Sequence, residues 1–195
     1  LFTASDGITK LKHDLSIPKQ EDLSSQNYEG AWCWFQDPRA VHYVGQYDKT
    51  YVTWVNSSGD VGIASYNHAT EEVERTTLRT SLQVDDHAVP SLLVRPNGHL
   101  MVFYSAHNGG TMYYRLSTNA EDISAWDNEQ TVGADTQYTY PNPVQLSDEG
   151  NKIYLFWRGS DWEPTFATST DGVTWSSKKT LFNVPGERPY VKVVS

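Results

Sequence analysis

The feature that most restricts what this chain can fold into is a period. Three short triplets, Ser65-Tyr66-Asn67, Ser117-Thr118-Asn119 and Ser169-Thr170-Asp171, recur at intervals of 52 residues. Self-similarity at a fixed spacing of this size marks an architecture built from one repeated supersecondary unit. Upstream of each triplet lies an aromatic strand pattern, at Tyr51–Trp54, Leu100–Phe103 and Ile153–Phe156. Before each of these sits an alternating or apolar stretch, at Ala40–Val44, Ala88–Leu93 and Pro143–Leu146. A weaker strand closes each unit, near Val73–Leu78, Glu129–Val132 and Lys179–Phe182. Turn residues separate the strands, among them Pro96-Asn97-Gly98, Ser58-Gly59-Asp60 and Asp171-Gly172. No amphipathic helical window of useful length interrupts the pattern, although Ala120–Trp126 has room for one turn. Four short strands per unit predict an all-β chain, a β-propeller of four-stranded blades. A β-sandwich with chance similarity is the competing arrangement.

The blades fall at about residues 36–84, 85–136 and 137–186, and 187–195 reads as the start of the next. Residues 1–30 form a polar leader, able to lend a strand to the ring, and 31–195 a partial propeller. Closure needs four to eight blades. The remaining blades are therefore expected from a missing part of the chain or from a second chain. Composition removes several classes of function. Fifteen Lys and Arg against 24 Asp and Glu leave a net charge of −9, which argues against nonspecific nucleic-acid binding. No run of 18 apolar residues exists, so no membrane partner is expected. The single cysteine, Cys33, rules out an internal disulfide framework; it reads as a small buried hydrophobe. The chain begins at Leu1 without a basic-then-apolar leader, and a secreted or periplasmic protein with its signal peptide removed is the expectation.

Alternating strand directions decide which residues can share a site. The start of each first strand and the end of each second strand lie on one face. Arg39, His87, His107, Tyr140, Arg158 and Arg188 fall at such ends. That mouth is locally cationic in an acidic chain, which suggests an anionic ligand. Each residue also has a structural reading: Arg39 and Arg188 as partners of neighbouring aspartates, His87 as a partner of Asp85 and Asp86, Tyr140 as packing. His107 precedes Asn108-Gly109-Gly110, a tight loop that exposes it. His42, His68 and His99 read as structural or exposed. The run Ser169–Trp175 resembles the Asp-box of sialidase-like repeats, one residue short between Asp and Gly, and reads as a turn staple away from the mouth.

A family resemblance rests on Gly30–Ala40 (GAWCWFQDPRA), Asp86–Pro90 (DHAVP), Tyr104–Asn108 (YSAHN), Tyr140–Val144 (YPNPV), Tyr154–Gly159 (YLFWRG) and Arg188–Lys192 (RPYVK). Together these resemble the BNR-repeat β-propeller polysaccharide lyases, the ulvan lyase and rhamnosyl-glucuronate lyase group. The resemblance covers roughly Gly30 to Ser195 and implies a seven-bladed ring, of which this chain holds about half. It implies β-elimination at a uronate of an anionic, ulvan-like polysaccharide. A base removes the C5 proton, an acid protonates O4, and a cation neutralises the carboxylate. His87 and His107 then occupy the paired histidine positions, Tyr140 matches the catalytic tyrosine and Arg158 the neutralising arginine. Tyr138 competes with Tyr140, since two residues along an extended strand point to the same side. Arg39, Asn108, Trp162 and Arg188 are the implied substrate-binding residues, with Trp32 and Trp34 as further stacking candidates. No metal ligands are assigned, and room is left for a structural calcium or zinc ion outside this segment. Two other functions compete. A glycoside hydrolase, sialidase-like or exo-acting, could use Asp37, Asp85, Asp86, Asp161 or Glu163. A non-catalytic carbohydrate-binding propeller would account for the aromatics but has no need of a histidine pair suited to proton transfer near neutral pH.

Overall fold

A computed structural model describes Gly30, Ala31, Cys33, Phe35 and residues 37–193. The expected leader, apart from Gly30, lies outside the described residues, as do Trp32 and Trp34. Twelve strands are described. β1 (Ala40–Val44), β2 (Asp48–Val55), β3 (Val61–Asn67) and β4 (Val73–Arg79) form the first sheet. β5 (Ser91–Val94), β6 (Leu100–Tyr104), β7 (Tyr113–Leu116) and β8 (Gln130–Thr131) form the second. β9 (Thr139–Leu146), β10 (Lys152–Arg158), β11 (Pro164–Ser169) and β12 (Lys179–Thr180) form the third. Every pairing is antiparallel and each sheet is a simple meander, so the 52-residue period is one four-stranded sheet.

The sheets stack through two apolar layers. Tyr51, Val61, Ile63 and Leu78 of the first sheet meet Leu92, Leu100, Val102 and Tyr104 of the second. Met101, Phe103 and Tyr114, on the other face of the second sheet, meet Ile153, Leu155, Trp157 and Ala167 of the third. The middle strand β6 is buried on both faces, which explains its unbroken apolar run Leu100-Met-Val-Phe-Tyr104. The recurrent triplets close the turns after the third strands. Asp171 accepts from the amides of Val173 and Thr174, both at 2.7 Å, and Asn67 accepts in the same way from Ala69 at 2.9 Å. Trp175 packs edge-on against Phe103 at 5.8 Å, between the second and third sheets, so the Asp-box is a structural staple.

Three local expectations are corrected. β5 starts at Ser91, not Ala88: Asp86–Ala88 coils into a 3-10 turn capped by the Asp85 side chain, and Pro90 has no amide for a ladder. β9 starts at Thr139, earlier than Pro143. Glu187–Val193 carries no strand, because a strand exists only by pairing and no described residue pairs with it. Ala120–Trp126, with room for one turn, holds a turn at Ala120–Glu121, and the Asp122 carboxylate accepts from the Ser124 amide at 2.7 Å.

One buried carboxylate fixes the end of the third sheet. Asp135, its side chain 1% exposed, accepts from the Ser160 hydroxyl (2.6 Å), the Thr136 amide (2.7 Å), the Trp157 indole (3.3 Å) and Lys178 (2.8 Å). Burial opposes its ionisation, but Lys178 and the Ser160 and Thr136 donors outweigh burial and bring the carboxyl down to about 2. A carboxyl lowered on folding contributes stability above its unfolded value, about 3.9, and loses that contribution as pH falls toward its folded value. Thermal unfolding followed from pH ~5 to pH ~2 should therefore show a steeper loss for the wild type than for Asp135→Asn. Equal slopes would mean that folding leaves the Asp135 carboxyl at its unfolded value.

Candidate active site

The first strands of the three sheets, β1, β5 and β9, lie side by side, with β5 between the other two. All three start at the same end of the stack, where the sheets are cross-tied. The Leu92 amide donates to Pro38 at 2.7 Å, and the Ser91 hydroxyl donates to the Pro141 carbonyl. Second strands finish at this end, so β6 and β10 deliver Tyr104–Asn108 and Arg158 beside the starts of β5 and β9.

At this end the structure brings His87 and His107 face to face. Their rings are 4.0 Å apart between centroids and 5° from parallel. Asp85 lies across the edge of both: Oδ1 is 2.6 Å from His87 Nδ1, and Oδ2 is 3.2 Å from His107 Nδ1. Asp86 Oδ1 also lies 2.8 Å from His87 Nδ1. An ionised carboxylate only accepts, so Nδ1 carries the proton in each ring and Nε2 is left as the acceptor nitrogen. Burial alone would raise the Asp85 carboxyl. The His87 amide and both imidazoles donate to it, and their combined effect holds it below its ordinary value.

Tyr140 faces this pair, its ring 5.5 Å from that of His87. Its place comes from a bulge. Phe156 pairs with Asn142 and Arg158 with Thr139, so β9 carries one residue more than β10 there. Tyr140 adopts φ 61°, a left-handed conformation unusual for a bulky residue. The bulge breaks the period of two, and Tyr138 and Tyr140 do not share a side. Tyr138 is fully buried in the second apolar layer, 5.1 Å from the Trp157 ring, and its hydroxyl accepts from the Asp135 amide. Of the two tyrosines, Tyr140 is the one beside the histidine pair. Burial pushes its phenol well up, so Tyr140 stays protonated.

Arg158 ends β10 and is 6% exposed. Its guanidinium lies 4.6 Å from the Tyr140 ring, 4.8 Å from Trp162 and 5.5 Å from Tyr190. Its Nη2 reaches His107 Nε2 at 3.3 Å and Asn108 Oδ1 at 3.4 Å. Asn108 is tied in turn to β9, its amide donating to the Thr139 hydroxyl at 2.9 Å. Gly159 follows Arg158 for a steric reason: a Cβ there would stand 2.5 Å from Asp135 Oδ2 and 2.6 Å from Thr165 Oγ1. Arg188 is exposed and stacks on Trp162 at 4.1 Å. Arg39 pairs with Asp37 at 3.8 Å, whose other oxygen takes Lys192 at 2.7 Å. Asn108, Asp161 and Trp162, like Tyr140, have positive φ. Such residues cost about 1–3 kcal/mol each and persist where the surroundings hold them in place.

Two residues have contacts in this cluster that the sequence did not show. Asp85, read from the sequence as a partner of His87 or as a hydrolase carboxylate, is the pivot of the histidine pair. Tyr190 stacks on Phe35 at 4.0 Å and completes the aromatic surround of Arg158, and only its nearness to Arg188 hinted at this. Two clusters among the described residues have donor atoms close enough to share a cation: Asp85, His87 and His107, and, on the opposite side of the first sheet, His42, Asp48 and His68.

Comparison with known proteins places this cluster in context. An ulvan lyase of Alteromonas sp. (strain LOR) is 29% identical over 170 residues, covering 73% of this chain and 33% of that protein. A solved structure of a PL25 ulvan lyase is 26% identical with a TM-score of 0.64, covering 78% of this chain and 40% of that one. A second, bound to -[GlcA(1-4)Rha3S]-, is 24% identical with the same TM-score and coverage. The chain thus spans about a third of the length of the curated relative and two fifths of the solved ones. The model of the BNR repeat-containing family matches residues 49–194, most of the sequence, and the chain belongs to that family.

Proposed function

We propose that this chain carries the catalytic end of a polysaccharide lyase that cleaves an ulvan-like, rhamnose–glucuronate polysaccharide by β-elimination. In this reading its three sheets are blades of a seven-bladed propeller, completed by the rest of a longer chain or by a second chain. The observation that carries it is the stacked His87–His107 pair on one carboxylate, within reach of Tyr140 and Arg158. A proton on C5 of a uronate is removable only if charge developing toward the carboxylate is neutralised. Arg158, held among aromatic rings, is placed to take that carboxylate in its fork. His87, with Nε2 as its acceptor, takes the C5 proton. The C5–H electron pair becomes the C4–C5 double bond as the C4–O4 bond breaks. Tyr140, kept protonated by burial, gives its proton to O4. The phenolate regains a proton from His87, and both groups return to their starting states. His107, bonded to Arg158, orients the guanidinium rather than abstracting a proton. Trp162 and Arg188 offer a stacking and a cationic surface for the adjoining sugar.

Four of the five carboxylates open to a hydrolase already have partners. Asp85 serves two imidazoles, Asp86 meets His87 at 2.8 Å, Asp37 serves Arg39 and Lys192, and Glu163 accepts from Thr180 at 2.8 Å. A large polymer does not cross a cell membrane, so the reading carries with it a secreted or periplasmic protein.

Incubation with ulvan and other uronate polymers should produce ultraviolet absorbance from unsaturated uronate. Reducing ends without that absorbance would indicate a hydrolase, and neither signal a binding protein. Arg158→Lys should lose on the order of 10²–10³ in turnover, since an ammonium cannot reproduce the bidentate fork; near-wild-type turnover would make Arg158 structural. Asp85 touches no reacting atom and is a positioning residue. Asp85→Asn should lower kcat by about 10²-fold or more while KM changes little, because the imidazole tautomers are no longer fixed. A rise in KM as large as the fall in kcat would reduce Asp85 to a structural role.

A further inference from the structure

His42, Asp48 and His68 lie far from the chemistry just described, toward the end of the first sheet where β1 turns into β2. Strand register brings them together. Asp48 opens β2, and the His68 amide donates to its carbonyl at 2.8 Å, so the two residues are cross-strand neighbours. His42 on β1 pairs with Thr50, two residues along β2 from Asp48 and therefore on the same face of the sheet. That face is opposite to the one carrying Tyr51, which packs against the second sheet. His42 Nε2 stands 2.7 Å from Asp48 Oδ1, and His68 Nε2 stands 2.8 Å from the Thr50 hydroxyl. The two imidazole rings meet edge to face at 5.2 Å. One donor atom from each of the three residues falls within a span of 4.8 Å.

We propose that His42, Asp48 and His68 form a binding site for a divalent transition-metal ion of the zinc type. The donor set selects the ion: two imidazole nitrogens and one carboxylate suit zinc, cobalt, nickel or copper, whereas calcium and magnesium prefer all-oxygen shells. Three protein ligands leave a coordination position for water or another donor. The ligands come from β1, from the first residue of β2 and from the residue after β3, so the ion clips three neighbouring strands at one corner. One contact it replaces, the exposed His42–Asp48 pair, is a weak one. His42 and Asp48 have side chains 46% and 48% exposed, and exposed pairs of that kind contribute little to stability. This inference is independent of the lyase reading, because none of the three residues belongs to the cluster around Asp85.

The test is a titration of chelator-treated protein with cobalt(II) and zinc(II), by visible absorption and by calorimetry. The variants are His42→Ala, His68→Gln, Asp48→Asn and, as a control on the other cluster, His87→Ala. The wild type is expected to take up one equivalent that both His42→Ala and His68→Gln lose and His87→Ala retains, with Asp48→Asn binding more weakly. Zinc should raise the unfolding temperature of the wild type, and this rise should be absent in His42→Ala. Circular dichroism of the apo variants checks that each is folded, and a charge-neutral pair of replacements at positions 42 and 68 guards against one of them failing to fold. Absence of binding by the wild type would overturn the proposal. So would the same stoichiometry and affinity in folded His42→Ala and His68→Gln.

Discussion

The site depends on a single carboxylate shared by two imidazoles. Asp85 is held ionised by an amide and two ring nitrogens, and in return it fixes which nitrogen of each ring carries a proton. Without that anion the His107 ring would lose the acceptor on its Nδ1, and His87 would keep only Asp86. With it, both present Nε2, one toward Arg158 and the other as an acceptor for a ligand proton. The same contact explains why the loop before β5 coils. Asp85 caps the 3-10 turn through the His87 amide with the oxygen that also holds the ring. The capping that shapes the backbone and the bond that sets the proton are therefore one arrangement.

Arg158 is the second fixed point, and its rigidity is built from outside. Burial of a guanidinium is tolerable when hydrogen-bond acceptors and aromatic faces replace water, each ring contributing roughly 0.5–2 kcal/mol. Three rings surround it here. The Asp135 clamp holds the chain just beyond it, and Gly159 makes room for that clamp. Positive φ at Asn108, Tyr140, Asp161 and Trp162 shows that the backbone around Arg158 is held in conformations it would not choose alone.

Much of this was legible in the sequence, for definable reasons. The spacing of Ser65, Ser117 and Ser169 located the turns after the third strands, because a short polar side chain caps such a turn from a fixed position. Alternating strand direction was enough to bring His87, His107, Tyr140 and Arg158 to one end. Strand periodicity failed where the backbone leaves the ideal. The bulge in β9 separates Tyr138 from Tyr140, and nothing in a period of two anticipates an inserted residue. The bond of Asp85 to His107 was not visible, since it crosses 22 positions of chain. Tyr190 was missed for the same reason: its contact with Arg158 is made by a segment without regular structure.

The central claim is that Arg158, His87 and Tyr140 surround one uronate. It is tested most directly by a crystal structure of the protein, carrying Tyr140→Phe to stop turnover, with a rhamnose–glucuronate tetrasaccharide bound. The expected result places the uronate carboxylate within about 3 Å of the Arg158 guanidinium nitrogens, with C5 facing His87 Nε2 and O4 facing the ring at position 140. A sugar bound with its carboxylate turned away from Arg158, or bound at another surface of the sheets, would contradict it.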